Sequence, residues 1–202
     1  MLKNCPVCGA PLREELYYCG GCGRNLTDEL AAERERDRKN PALQAEFARL
    51  LPAAESGDAA AQFKLARAYR YGLGVEKNSG NAQKWYERLA MRGHLEAAYE
   101  LALYLQTYPY QHSKEEAAKW LLYLSENGHK EAMAWIAKLK KSWYPTDAVL
   151  QYNNGKYFEN GVLVKRDLYK AREWYQIALN TRKNYSDAYD ACERVEKLIK
   201  KL

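Results

Sequence analysis

Beyond residue 40, apolar positions recur at helical spacing. Leu43, Phe47, Leu50 and Leu51 share one helix face. Leu65, Ala68 and Tyr69 form the stripe of a second helix, and Ala82, Trp85, Tyr86 and Leu89 that of a third. Asn40-Pro41 reads as an N-cap followed by proline at the first helical position. Pro52 is expected to kink or restart its helix, because proline lacks an N–H and clashes with the preceding turn. Residues 27–40 follow another pattern. Glu33, Arg34, Glu35, Arg36, Asp37 and Arg38 alternate in sign with almost no large apolar group between them. Such a stretch is expected to be a solvated helix or a mobile linker, not a packed element. The chain is thus expected to divide into a segment 1–26, a charged linker or helix 27–40, and a helical domain 41–202.

The helical domain repeats itself. Gly57-Asp58-Ala59-Ala60-Ala61, Gly93-His94-Leu95-Glu96-Ala97 and Gly128-His129-Lys130-Glu131-Ala132 recur at offsets of 36 and then 35 residues. Ala82-x-x-Trp85, Ala117-x-x-Trp120 and Ala171-x-x-Trp174 form a second series. Gly72 and Gly161 each stand thirteen residues before their Trp, and Asp58/Asp147 and Gln62/Gln151 share an 89-residue offset. The physical reading is a helix, a glycine turn, a second helix and a closing glycine. Gly72 and Gly74 permit the turn, and Gly93 and Gly128 suit the left-handed position after a helix. Alanines allow close approach, while Trp85, Trp120 and Trp174 are expected as wedges in the core. One such pair cannot bury its own faces, so pairs are expected to stack.

These motifs resemble the Sel-one-like repeat, a cousin of the tetratricopeptide repeat. The match is fullest over Gly57–Gly93, with A-x-x-x-L-A-x-x-Y-x-x-G-x-G-V and then A-x-x-W-Y. In the second unit Tyr108 replaces the turn glycine and Pro109 follows it. The third unit has a first helix but is interrupted at Ser142-Trp143-Tyr144-Pro145, and a fresh first-helix pattern starts at Asp147. The fourth regains Trp-Tyr, and residues 186–202 read as a capping helix. The resemblance implies an all-α fold, a right-handed αα superhelical solenoid. It also implies an adaptor or scaffold that binds a protein or peptide. The concave surface would come from first-helix residues such as Lys64, Arg67, Tyr71, Glu100 and Tyr104. Tyr108, Trp143 and Tyr144 in inter-helix loops are further candidates; the bland reading folds these loop aromatics onto neighbouring helices.

Four of the five cysteines lie in the first 26 residues, as C-x2-C-x10-C-x2-C: Cys5, Cys8, Cys19 and Cys22. Each C-x-x-C turn brings two sulfurs to one side, and the following glycine lets backbone N–H groups face the thiolates. Two such turns supply the four tetrahedral ligands that zinc takes at about 2.3 Å. The segment resembles a short zinc ribbon, a β hairpin with strands expected around Leu12-Arg13 and Leu16-Tyr17-Tyr18. A disulfide or redox pair and iron on the same ligands are the alternatives. Four thiolates leave no open position, so a zinc ion here would be structural, and its binding would be the folding energy of so small a core.

Composition changes this picture little. A net charge of +6 on 202 residues, spread among many carboxylates, argues only weakly for a nucleic-acid partner. Such binding would use Lys3, Arg13, Tyr17, Tyr18 and Arg24 of the ribbon, but Glu14 and Glu15 sit among them. An inhibitor or immunity-type role is a further alternative within protein binding. No apolar run reaches membrane-spanning length, and the first residues lack the core of a signal peptide. A cytoplasmic, reducing location without a membrane partner is expected. No Ser-His-Asp set, phosphate-binding glycine loop or paired-carboxylate motif points to an enzyme. Cys192 is expected as a small buried residue, His94 and His129 as polar helix starts, and His112 as a solvated turn residue. Trp135 and Trp143 lie off the tryptophan register.

Overall fold

The structure, a computed structural model, describes residues 4, 26–108, 110–144 and 146–202. The expected zinc ligands Cys5, Cys8, Cys19 and Cys22, with the rest of the ribbon, lie outside the described residues, as do Pro109 and Pro145. Ten helices make up the described part, without a β-strand element. They are α1 Thr27–Lys39, α2 Pro41–Glu55, α3 Ala59–Tyr71, α4 Ser79–Met91 and α5 Leu95–Gln106, then α6 Gln111–Glu126, α7 Lys130–Lys140, α8 Asp147–Asn160, α9 Leu168–Thr181 and α10 Ser186–Ile199. The all-helical expectation holds. The chain forms two compact units, divided between Leu89 and Ala90.

In the first unit, α1 is a helix whose charges pair locally. Arg38 and Lys39 both reach Glu35, at 2.7 and 2.8 Å, and hold its carboxyl down to about 2. The stretch is nevertheless anchored at its end. The Asp37 carbonyl accepts from Gly74 N–H at 3.2 Å, and the Arg38 carbonyl accepts from the Gln44 amide at 2.9 Å. Asn40 then caps α2 as its sequence requires, its side-chain oxygen accepting from Ala42 N–H at 2.9 Å. α2 runs through Pro52 without a break, correcting the expected restart. Pro52 is exposed and sits in the last turns, and its carbonyl still accepts from Ser56 N–H at 3.0 Å. The α2–α3 core joins Ala54, Ala61 and Leu65 with Phe47, Leu50, Tyr69 and Trp85 around them. Trp85 is therefore a half-buried flank of this core rather than a wedge inside it, while Tyr86 beside it is fully buried. Phe63 meets Tyr86 edge-on at 5.9 Å, which fixes the face α3 offers α4.

In the second unit, α5 and α6 pack as a pair, α6 also contacts α7 and α8, and α9 lies between α8 and α10. One cluster runs from Leu122 and Ile136 through Phe158 and Trp174 to Val195. Trp120 and Trp174 are 3 % and 2 % exposed, the wedges expected of them. Burying such side chains contributes about 1.5–3 kcal/mol each, and this holds helices with weak internal caps in place. Cys192 is buried in this cluster, and burial pushes its thiol pKa up. The two repeat histidines part company. His94 caps α5, its Nδ1 accepting from Ala97 N–H at 3.2 Å. His129 makes no cap bond and instead stacks on Tyr99 at 4.4 Å, with Glu131 3.3 Å from its Nδ1. His112 is exposed, but in the first turn of α6 rather than in a loop.

Candidate functional site

The third repeat is half built. After α7 the chain has no second helix, only the link through Ser142, Trp143 and Tyr144 to α8. That link is tied down by its neighbours. The Gln151 amide donates to the Leu139 carbonyl at 2.8 Å, and the Thr181 hydroxyl donates to the Ser142 carbonyl at 3.2 Å. The Ser142 hydroxyl donates to the Asp147 carboxylate, and Asp147 N–H donates to the Tyr144 carbonyl at 2.8 Å. Trp143 and Tyr144 stand out from this held backbone at 76 % and 63 % exposure. Exposed aromatics on an anchored backbone lose little freedom on contact, which favours binding.

Beside the link a groove of about 440 Å³ opens in the second unit. Trp135, Leu139, Leu150 and Tyr144 give it apolar walls, and Lys114 and Lys138 give it positive rims. Asp147 also lines it, with its carboxylate already engaged by Ser142. The first unit has a smaller groove of about 240 Å³ between α2 and α3. It is lined by Leu43, Glu46, Phe47 and Leu50 on one side and by Lys64, Arg67 and Ala68 on the other.

These two grooves sit at one register. Counting from the glycine that opens each unit, Lys64 and Trp135 are the same position, as are Arg67 and Lys138, and Ala68 and Leu139. Lys64 and Arg67 are exposed on a groove wall. Tyr104 is the second repeat's counterpart of Ala68 and Leu139, and all three are buried, at 3 %, 5 % and 5 %. This corrects Tyr104 from a contact surface to a core position. Tyr71 is corrected likewise: it is 9 % exposed, with the guanidinium of Arg70 5.1 Å from its ring. Glu100 is half-buried, and Tyr108 is half-buried with its hydroxyl against that of Tyr104. Tyr144 joins the second-unit groove and Trp143 stands beside it in sequence. Trp135 and Lys138 were not among the surface residues expected from sequence. The signal was present, because the same counting that selects Lys64 and Glu100 selects Trp135. Its departure from the tryptophan series drew attention away from its place in the first-helix series.

Three segments, residues 59–94, 95–129 and 148–180, match the Sel1 repeat family. The chain belongs to the Sel1 repeat family. The matched Sel1 repeats leave out residues 130–147, the stretch that holds α7. Over 134 residues the chain is 31% identical to the chitin synthase regulator SKT5 of Malassezia restricta. That alignment covers 64% of this chain and 8% of that protein, so the chain spans a small part of its relative. Among solved structures, it is similar to a protective antigen of uropathogenic Escherichia coli strains with an SLR fold. There the identity is 22%, the TM-score 0.43, and the coverage 75% of this chain and 36% of the antigen. A Sel1 repeat protein from Oxalobacter formigenes is 26% identical with a TM-score of 0.33, over 73% of this chain and 96% of that one. Sel1 repeats generally mediate protein–protein interaction. Among the described helices none is long and apolar enough to cross a membrane.

Proposed function

We propose that this Sel1 repeat chain is a protein-binding scaffold that seats peptide segments of a partner in its first-helix grooves. The supporting observation is the recurrence of one groove position in both units: Lys64 with Arg67, and Trp135 with Lys138, beside an apolar floor. Aromatic anchors and long basic side chains around a concavity are what peptide recognition uses. The proposal includes the right-handed αα superhelix that such units build, and a non-catalytic role. Panning a displayed peptide library on the intact protein tests it. Enriched peptides should lose about thirtyfold in affinity, the weight of one hot-spot residue, on Trp135→Ala or Arg67→Glu. No enrichment, or affinity indifferent to both substitutions, defeats the reading.

The same proposal gives Cys5, Cys8, Cys19 and Cys22 one structural zinc ion. The donor set supports it: four soft thiolate ligands in two C-x2-C pairs match zinc and fill its coordination shell. Bound there, the metal would supply folding energy rather than chemistry. Metal analysis of the purified protein should find one equivalent, and a chelator should leave the circular dichroism of the helices nearly unchanged. Loss of most helix on chelation would contradict an independent zinc segment. Steep weakening of any DNA or RNA binding with salt would instead favour the ribbon residues Lys3, Arg13, Tyr17, Tyr18 and Arg24 as nucleic-acid contacts.

A further inference from the structure

We propose that α7 is an open half of a repeat and that an acidic amphipathic helix of a partner protein completes it. The evidence lies on a different side of α7 from Trp135 and Leu139. In the first and last repeats, the Tyr of the Trp-Tyr pair on the second helix packs on defined first-helix positions. Phe63 meets Tyr86 at 5.9 Å and Tyr152 meets Tyr175 at 5.4 Å. One turn further on, Gly155 lies so close beneath Tyr175 that a Cβ there would overlap the ring. The corresponding positions of α7 are Ala134 and Ala137. Ala66, Ala102 and Gly155 are buried at the register of Ala137, and Ala137 is exposed. Met133 is 51 % exposed, whereas Gln62, Ala98 and Gln151 at its register are 2 %, 0 % and 0 %. Ala134 and Ala137, whose counterparts a second helix covers elsewhere, are bare because this chain turns into the link at Ser142–Tyr144 instead of building one.

Charge identifies the occupant. Lys130 and Lys141 border this face, both exposed, and among the described residues neither makes an ion pair. Lys140 is already paired with Glu173 at 2.7 Å, and the one carboxylate on α7, Glu131, lies against His129. A helix seated here would therefore need an aromatic for Ala134 and Ala137 and carboxylates along its edges.

The probe is an N-acetylated peptide of residues 167–181 with Lys170→Glu and Arg172→Glu. It carries the Trp174-Tyr175 face of α9 on an acidic helix. Fluorescence anisotropy against the intact protein should show saturable binding. Ala137→Arg and, separately, Met133→Glu should weaken it by about tenfold or more, as for a blocked hot spot. Both replace exposed residues, and unchanged circular dichroism would confirm that the protein is folded. Trp135→Ala, in the groove, should leave this binding unaltered, so failure here and failure of the groove reading can be told apart. The proposal is overturned if the peptide does not bind or if binding ignores Ala137→Arg. It is also overturned if light scattering shows a dimer that Ala137→Arg dissociates, since the occupant would then be a second copy of this chain.

Discussion

The first and last complete repeats, α3–α4 and α8–α9, share their turn geometry and differ in what presses on it. Gly74 and Leu163 occupy the same place, 89 residues apart, and both have positive φ, 69° and 61°. Gly74 lies against the α1–α2 junction, where a Cβ would overlap the Leu43 carbonyl. Leu163 is half-buried and carries its side chain in a backbone conformation that ordinarily suits glycine. The turn signature thus sets the backbone path, and the neighbouring helix decides whether a side chain fits. The two helix pairs differ inside as well. Leu65 and Ala66 of the first repeat are replaced by Asn154 and Gly155, so one repeat buries plain hydrocarbon where the other buries an amide and makes room for a ring.

Making the repeats more alike tests this contrast. The largest effect is expected from Gly74→Leu, which copies the last repeat onto the first. Overlap with a backbone carbonyl should cost about 3 kcal/mol or more. Hydrogen exchange should show α1 losing protection first. Next comes Gly155→Ala, which copies Ala66. The new methyl meets the Tyr175 ring, and about 2–3 kcal/mol should be lost in denaturant unfolding.

A smaller loss is expected from Glu159→Gln, at the position that Arg70 fills in the first repeat. Glu159 accepts two bonds from Arg194, at 2.8 and 2.9 Å, and one from the Tyr175 hydroxyl at 2.6 Å. The Arg194 bond is the main reason its carboxyl sits below the usual range. About 1–2 kcal/mol should disappear at neutral pH, since the arginine is half exposed. A pKa depressed on folding stabilises fully above the unfolded carboxylate value, about 4.3, and progressively less as pH falls through the folded value. The gap between wild type and variant should therefore close on acidification. A gap that stays constant down to acid pH would mean the pair contributes nothing.

The smallest effect has the opposite sign. Asn154 is fully buried with neither side-chain polar atom hydrogen-bonded. Replacing it by the leucine found at position 65 should remove an unpaid desolvation cost. A gain of about 1 kcal/mol, a rise in Tm of some 2–4 °C, is expected. A loss instead would show that the site has no room for leucine or that water serves the amide.

Much of the helical frame was legible because its causes are local. Asn40 caps α2 and Asp58 caps α3, the latter accepting at 2.8 Å from Ala60 N–H. The break after α7 and the fresh start at Asp147 were legible in the same way. Gln62 and Gln151, noticed only as a shared offset, turn out to tie the preceding helix to their own repeat, through the Ala54 and Leu139 carbonyls. The candidate site was less legible. Lys64, Arg67 and Tyr144 line grooves, but Tyr71 and Tyr104 are buried, and Trp135, off the tryptophan register, lines a groove wall.

By itself the sequence determined where helices start and stop and how they pair within a unit, because caps, turns and apolar period act over a few residues. It also determined that one unit lacks its second half. Tertiary structure alone decided which aromatics are covered, why residue 74 must be glycine while residue 163 need not be, and which face of α7 stays open. Those outcomes depend on the distance to a neighbouring helix remote in sequence, and no local pattern encodes that distance.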